Sequence, residues 1–224
     1  MSTTLVEQLE YPESDGRPMG ETDLHRRWMI RIYNLLEYRY RTQRVYIGSD
    51  LLVYYEPGQP TRFVVPDDFV VFDCDPGDRR VFKTWEEKRS PDVVFEVTSR
   101  GTSSQDIVDK PKIYERMRVS EYFLYDPNGQ YLRPALQGYR LVDGVLTEIP
   151  TIEGAMTSDR LGVRLRLNGR KLEMIDIDSG ELLTTEAEAE RQQAATERQA
   201  RLGAEAQLRE LQEELQRLKR GETS

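Results

Sequence analysis

Behind Pro91-Asp92, the run Val93-Val-Phe-Glu-Val-Thr98 is apolar along nearly its whole length and carries one acid, Glu96, in its interior. A strand that apolar is covered on both faces, so the chain needs layers on either side of a sheet. A carboxylate in such a strand costs several kcal/mol unless a cation or a metal compensates it. Glu121-Tyr-Phe-Leu-Tyr125 reads as a further central strand, ended by Asp126-Pro-Asn-Gly129. Between the two, residues 102–116 read as a helix with Ser103 or Ser104 as cap. Pro111 inside it predicts a kink or break near Lys110, since proline in a helix interior costs about 3 kcal/mol.

The remaining pattern supplies the layers. Residues 1–20, broken by Pro12, Gly16, Pro18 and Gly20, read as an extended arm with at most a short strand. Leu24, Trp28, Ile32, Leu35 and Leu36 then recur at helical spacing, with Thr22 or Asp23 as N-cap. Short β-branched and aromatic runs follow between residues 45 and 72, separated by Gly, Pro and Asp, and residues 79–85 add another. Asp143-Gly144 and Asn168-Gly169 mark hairpins joining residues 138–142 to 146–149 and 161–167 to 172–177.

From Thr184 the composition shifts to Ala, Glu, Gln, Arg and Leu. Leu208, Leu211, Leu215 and Leu218 form an a/d seam of under two heptads that fades upstream through Ala204, Arg201, Glu197 and Ala194. This is a long solvated helix, with self-association through its end an open alternative. The expected organisation is an arm (1–20), a folded α/β (α+β) domain (21–183) and a charged helical tail (184–224).

The 32 basic against 40 acidic residues give a net charge of −8, which excludes coating of nucleic acid by bulk charge but not a local basic groove. Nine Glu against seven Lys or Arg in the tail rule it out as a basic arm. One cysteine, Cys74, excludes a disulfide framework and a multi-thiolate zinc site. One histidine, His25, excludes any two-histidine metal site. No stretch approaches the ~18 consecutive apolar residues of a membrane span, and the N-terminus does not read as a signal peptide, so the expected location is the cytoplasm.

The chemistry must therefore rest on carboxylates, lysines or hydroxyls. Glu96 is one candidate and Asp67, where a turn enters an apolar run, is another. Two carboxylates on neighbouring strands can hold Mg²⁺ through hard oxygen ligands. Asp106 and Lys110, four residues apart, share a helical face that can aim the lysine back at the preceding strand. The plainer alternatives are a turn role for Asp67, an arginine partner for Glu96 and a surface ion pair for Asp106 with Lys110. Thr98, Ser99 and Thr102 read as loop and cap residues, and Tyr114, Tyr122 and Tyr125 as core aromatics. Cys74 between Asp73 and Asp75 should have a raised thiol pKa.

Pro91-Asp-Val-Val-Phe-Glu-Val-Thr-Ser99, Thr102, Asp106-Ile-Val-Asp-Lys110, Tyr114 and Val119-Ser-Glu-Tyr-Phe-Leu-Tyr-Asp-Pro127 together resemble the signature of the Uma-two family of restriction-endonuclease-like proteins. The resemblance runs over roughly residues 20 to 180, taking in Val65-Pro-Asp67 and Leu136-Gln-Gly-Tyr139. It implies the PD-(D/E)XK nuclease fold, a mixed β-sheet core flanked by helices, and Mg²⁺- or Mn²⁺-dependent hydrolysis of nucleic acid, most simply DNA. It implies Asp67, Glu96 and the Val97 backbone carbonyl as metal ligands. Thr98 stands where the superfamily often has lysine, and Lys110 from the following helix takes that role. Glu21, His25 and Asp106 are accessory positions, and Asp92 ranks below Asp67 as a ligand. Arg79, Arg80, Lys83, Arg100 and Lys112 are candidates for phosphate contacts, and a homodimer is expected by analogy with enzymes that cut both strands. The alternative is a catalytically silent binding or assembly module that oligomerises through its tail.

Overall fold

The computed structural model describes residues 10–14, 22–219 and 221, and the chain divides into two compact units, Met1–Leu183 and Thr184–Ser224. In the first, helix α1 (Asp23–Tyr40) starts at Thr22, whose hydroxyl accepts from the His25 N–H at 3.2 Å, one of the two caps expected. Strands β1 (Val45–Ser49), β2 (Val53–Tyr54), β3 (Phe63–Val64), β4 (Asp68–Phe72) and β5 (Phe82–Lys83) follow, then a one-turn helix α2 (Thr84–Glu87) and the apolar strand β6 (Val93–Val97). A π-turn (Gln105–Asp109) leads into α3 (Lys110–Met117) and strand β7 (Glu121–Tyr125). Strands β8 (Leu136–Val142), β9 (Val145–Glu148), β10 (Ala155–Ser158), β11 (Val163–Asn168) and β12 (Lys171–Asp176) complete the unit.

Six strands form a mixed sheet in the order β1-β4-β6-β7-β8-β9, flanked by three-stranded sheets β10-β11-β12 and β3-β2-β5. Strands β6 and β7 are parallel and joined by the helical crossover, with Phe95 opposite Phe123 and Glu96 opposite Leu124. The other pairings of the large sheet are antiparallel, and Asp68 of β4 lies opposite Phe95. Every residue of β6 and β7 is buried, as strands covered on both faces require. On one face, Val93, Phe95, Val97, Phe123 and Tyr125 pack against Ile32, Leu35 and Leu36 of α1 and against Val163, Leu165 and Met174 of the last sheet. On the other, Val94, Tyr122 and Leu124 pack with Tyr114 and Met117 of α3 and with Val53 and Phe82 of the small sheet.

Several elements differ from expectation, and residues 79–85, read as a strand, hold only β5 before α2 begins at Thr84. The irregularity expected near Lys110 takes the form of a wide turn: the π-turn gives way to α3 there, and the Lys110 N–H donates to the Gln105 carbonyl five residues back. Proline lacks the N–H that would continue the α-helical ladder and its ring crowds the carbonyl four residues earlier, so a wider turn before it relieves that clash. Strand β10 was not expected, because Ala-Met-Thr-Ser has too few apolar residues to show a period. The Asp143-Gly144 hairpin forms as expected, with both residues at positive φ, 51° and 89°. The loop between β11 and β12 is shifted by one residue, to Gly169-Arg170.

Of the N-terminal arm, residues 10–14 carry no strand and lie on the small sheet, where Tyr54 Oη donates to the Pro12 carbonyl at 2.6 Å. In the second unit, α4 (Glu186–Lys219) runs for 34 residues with none buried. Its N-terminus is a capping box: Glu188 N–H donates to the Thr185 hydroxyl at 3.3 Å and Thr185 N–H to the Glu188 carboxylate at 3.0 Å.

Candidate active site

Asp67 sits in the turn that enters β4. That turn is fixed by its own carbonyl, which accepts from the Ser49 hydroxyl at 2.8 Å and the Asp50 N–H at 3.1 Å. Its Oδ2 accepts from the Val97 N–H at 2.6 Å and lies 3.0 Å from His25 Nε2. The aspartate is thereby tied to the end of β6 and to the first turn of α1, and its side chain keeps 17% exposure.

Glu96 is 1% exposed. Strand alternation turns it to the α3 side of the sheet, where both its oxygens are engaged. Oε2 accepts from Lys110 Nζ at 2.6 Å, with the Asp67 N–H at a longer 3.4 Å, and Oε1 accepts from Tyr114 Oη at 2.5 Å. Lys110 Nζ also donates to the Val65 carbonyl at 3.2 Å and stands 3.1 Å from Asp106 Oδ1. The partner of Glu96 is thus a lysine, not an arginine. The Asp106–Lys110 pair is no surface pair: their side chains are 1% and 13% exposed.

Burial pushes the Glu96 carboxyl above the usual carboxylate range, with Lys110 opposing the shift and Asp67 and Asp106 adding to it. Burial also raises Asp106, again against the pull of Lys110. Lys110 itself would be lowered by burial, but Glu96, Asp106 and Asp67 outweigh that and hold its ammonium more basic than usual. Desolvation and then Glu96 push the Tyr114 phenol well up, so it remains a hydrogen-bond donor. On β4, Asp68 is buried and raised well above the usual range, chiefly by desolvation, with Ser49 opposing the shift and Asp67 and Glu96 adding to it.

Glu21 lies outside the described residues. Asp92 is anchored away from the cluster, accepting from the Phe72 N–H at 2.8 Å and pairing with Arg160. Among the phosphate-contact candidates, Arg79 is committed to Glu87 at 2.7 Å, Lys83 to Glu86 at 3.1 Å and Arg80 to Glu13 at 2.6 Å. Arg100 and Lys112 are exposed. Ser99 N–H donates to the Thr102 hydroxyl at 3.1 Å, a loop role, while the buried Thr98 hydroxyl finds no partner among the described residues. The Cys74 thiol is raised, by burial first and by Glu87 and Asp75 against the opposing Arg79. Tyr114 is a core aromatic, as expected, but its hydroxyl role was missed. Asp106, Lys110 and Tyr114 stand four residues apart in succession, and that spacing on one helix face was the available signal.

Among the described residues, no three His, Cys, Asp or Glu side chains converge to hold a metal ion. The donor chemistry of Asp67 and Glu96 nonetheless fits a hard divalent cation. The carboxylates of Glu96 and Asp106 share the Lys110 ammonium, and Asp67 adjoins Glu96 through its backbone N–H, so three acids neighbour one lysine in a largely dry setting.

The fold and this cluster define a mixed α/β protein with a buried carboxylate–lysine centre, set where the turn into β4, the end of β6 and the crossover helix meet. The chain belongs to the Uma2 family, described as "Putative restriction endonuclease", which it matches over residues 6–170. Among solved structures, it is similar to a "putative nuclease belonging to DUF820" from Anabaena variabilis, with 12% identity over 63% of this chain and 75% of that one and a TM-score of 0.47. No curated protein matches it.

Proposed function

We propose that this protein is a Mg²⁺- or Mn²⁺-dependent endonuclease that hydrolyses phosphodiester bonds, with DNA as substrate. The observation that carries the reading is Glu96: a buried carboxylate beside Asp67, held by a lysine from the next helix. Membership of the Uma2 family supports the nuclease class.

In this reading Asp67, Glu96 and the Val97 carbonyl would hold the cation, which would supply Lewis acidity toward the scissile phosphate and toward water. His25 and the Val97 N–H orient Asp67 through its Oδ2. Tyr114 fixes Glu96 from the sheet interior. Lys110 brings a positive charge to the place where water adds to phosphorus and the bond to the leaving sugar oxygen breaks. Exposed Arg100 and Lys112 contribute phosphate contacts, which lose strength as salt rises. The leucine seam of α4 is exposed along Leu208, Leu211, Leu215 and Leu218, and pairing two such seams makes the working form a homodimer. No helix among the described residues is long and apolar enough to cross a membrane, and the reading has the protein act in the cytoplasm.

The test is cleavage of supercoiled plasmid, single-stranded DNA and RNA with Mg²⁺, Mn²⁺ or EDTA, beside Glu96→Ala and Lys110→Ala proteins purified identically. Metal-dependent cutting of plasmid that both substitutions abolish is the expected result. No cutting, or cutting that survives both changes, overturns the reading in favour of a silent nuclease-fold binding module.

A further inference from the structure

The Asp106 carboxylate has no part in the reaction as described so far. It is fully buried, and Thr102 and Lys110 are the side chains that favour its charged form, neither in good hydrogen-bond geometry. Its charged partner is Lys110 Nζ, 3.1 Å from Oδ1. A buried carboxylate with so little satisfaction is costly. It stays in place because the chain around it is pinned: the Asp106 N–H donates to the Thr102 carbonyl at 2.9 Å, and the Asp106 carbonyl accepts from Tyr122 Oη at 2.8 Å. The π-turn ahead of Pro111 then sets Asp106 and Lys110 side by side.

A simple ion pair would need one acid for one lysine. Here Lys110 is shared, and its shorter contact is to Glu96 Oε2 at 2.6 Å. The other oxygen of Glu96 is taken by Tyr114 from the buried side. A cation drawn to Glu96 and Asp67 therefore meets the oxygen that Lys110 already occupies, and it repels an ammonium that has no second anion to hold it. Asp106 is that second anion, within reach of the same Nζ.

We propose that Asp106 is the resting partner of Lys110: when a divalent cation binds Glu96 and Asp67, Lys110 releases Glu96 and stays in the site on Asp106 and the Val65 carbonyl. Asp106 is thus a positioning residue that acts through Lys110. The inference rests on the metal-dependent reading above.

Calorimetric titration of the full chain with Mn²⁺ tests it as a double-mutant cycle. Asp106→Asn should weaken Mn²⁺ binding by about tenfold or more, whereas in a Lys110→Met background the same change should move it by less than about threefold. Equal weakening in both backgrounds makes Asp106 a source of negative field alone and overturns the proposal, as does an affinity that Asp106→Asn leaves unchanged. Glu96→Ala in the same titration separates the two levels: Mn²⁺ binding that survives it contradicts the metal reading itself. A wild-type crystal structure with Mn²⁺ keeps the proposal open to refutation if Asp106→Asn does not fold. Mn²⁺ on Glu96 with Lys110 on Asp106 is the expected outcome. Mn²⁺ on Glu96 with Lys110 still at its Oε2 contradicts the exchange alone, and no Mn²⁺ at Glu96 contradicts both.

Discussion

Two buried acids stand on the adjacent parallel strands β6 and β7, and they are solved in opposite ways. Glu121, at the start of β7, is fully buried and saturated. Its Oε1 accepts from Arg140 Nε and Nη2 at 3.1 and 2.9 Å and from the Asp159 N–H at 3.1 Å, and its Oε2 accepts from the Ser158 hydroxyl. It ties β7, β8 and the end of β10 together, and its arginine also holds the exposed Asp159. Glu96, toward the far end of β6, shares one lysine with Asp106 and lies beside Asp67. Equal burial thus says little about role. What differs is the cation: Glu121 has an arginine that it shares only with exposed Asp159, whereas Glu96 shares its lysine with a second buried acid.

The comparison breaks first at Lys110. Lys110→Ala leaves Glu96 and Asp106 buried without their cation, so plasmid cleavage should fall by about a hundredfold or more while the fold also weakens; cleavage within a few-fold of wild type removes Lys110 from the site. At the other acid, Glu121→Ala removes the acceptor of Arg140 Nε, the Ser158 hydroxyl and the Asp159 N–H. It should lower unfolding free energy by about 2–3 kcal/mol in a urea titration, and a change below about 0.5 kcal/mol would show that the network is not structural. Tyr114→Phe removes one hydrogen bond from Glu96 without changing shape. A loss of about 1–2 kcal/mol in the same titration is expected, with cleavage weakened rather than abolished.

A smaller effect sharpens the contrast from a third acid. Asp176 is held at about 2 by the Ser179 N–H and by Arg39, which reaches it from α1 at 2.5 Å. Its folded pKa lies below the unfolded value, so its contribution is complete above about pH 4 and is lost as pH falls toward 2. Asp176→Asn should therefore flatten the acid limb of thermal stability between about pH 4 and 2 and leave the curve above it parallel to wild type. An unchanged acid limb would mean that the Arg39 contact contributes nothing.

The core of this molecule was legible because burial on both faces leaves a plain mark: β6 and β7 read as apolar runs, and their crossover had to contain a helix. Strand β10 left no such mark, since Ala155, Met156, Thr157 and Ser158 are placed by their partners in β11 rather than by their own periodicity. Within the site, Glu96 stood out as an acid in an apolar strand and Lys110 as a lysine in the helix after it. The burial of Asp106 could not be read, because four-residue spacing to Lys110 looks the same on a solvated helix as on a π-turn packed against a sheet. Tyr114 shared that four-residue spacing with Lys110, but the spacing alone does not tell a core tyrosine from one that donates to a buried acid. Glu121 was passed over as well, its saturation depending on Arg140 and Ser158 from distant strands.

The most direct test of the difference between the two acids compares Glu96→Gln with Glu121→Gln, measuring thermal unfolding and the rate of plasmid cleavage with Mn²⁺ per folded molecule. Glu96→Gln should not cut even while folded, and it should also unfold earlier, because its amide nitrogen cannot accept from Lys110 or Tyr114. Glu121→Gln should unfold earlier yet cut at the wild-type rate while folded. The reverse pattern, with cleavage kept by Glu96→Gln and lost by Glu121→Gln, would contradict the account.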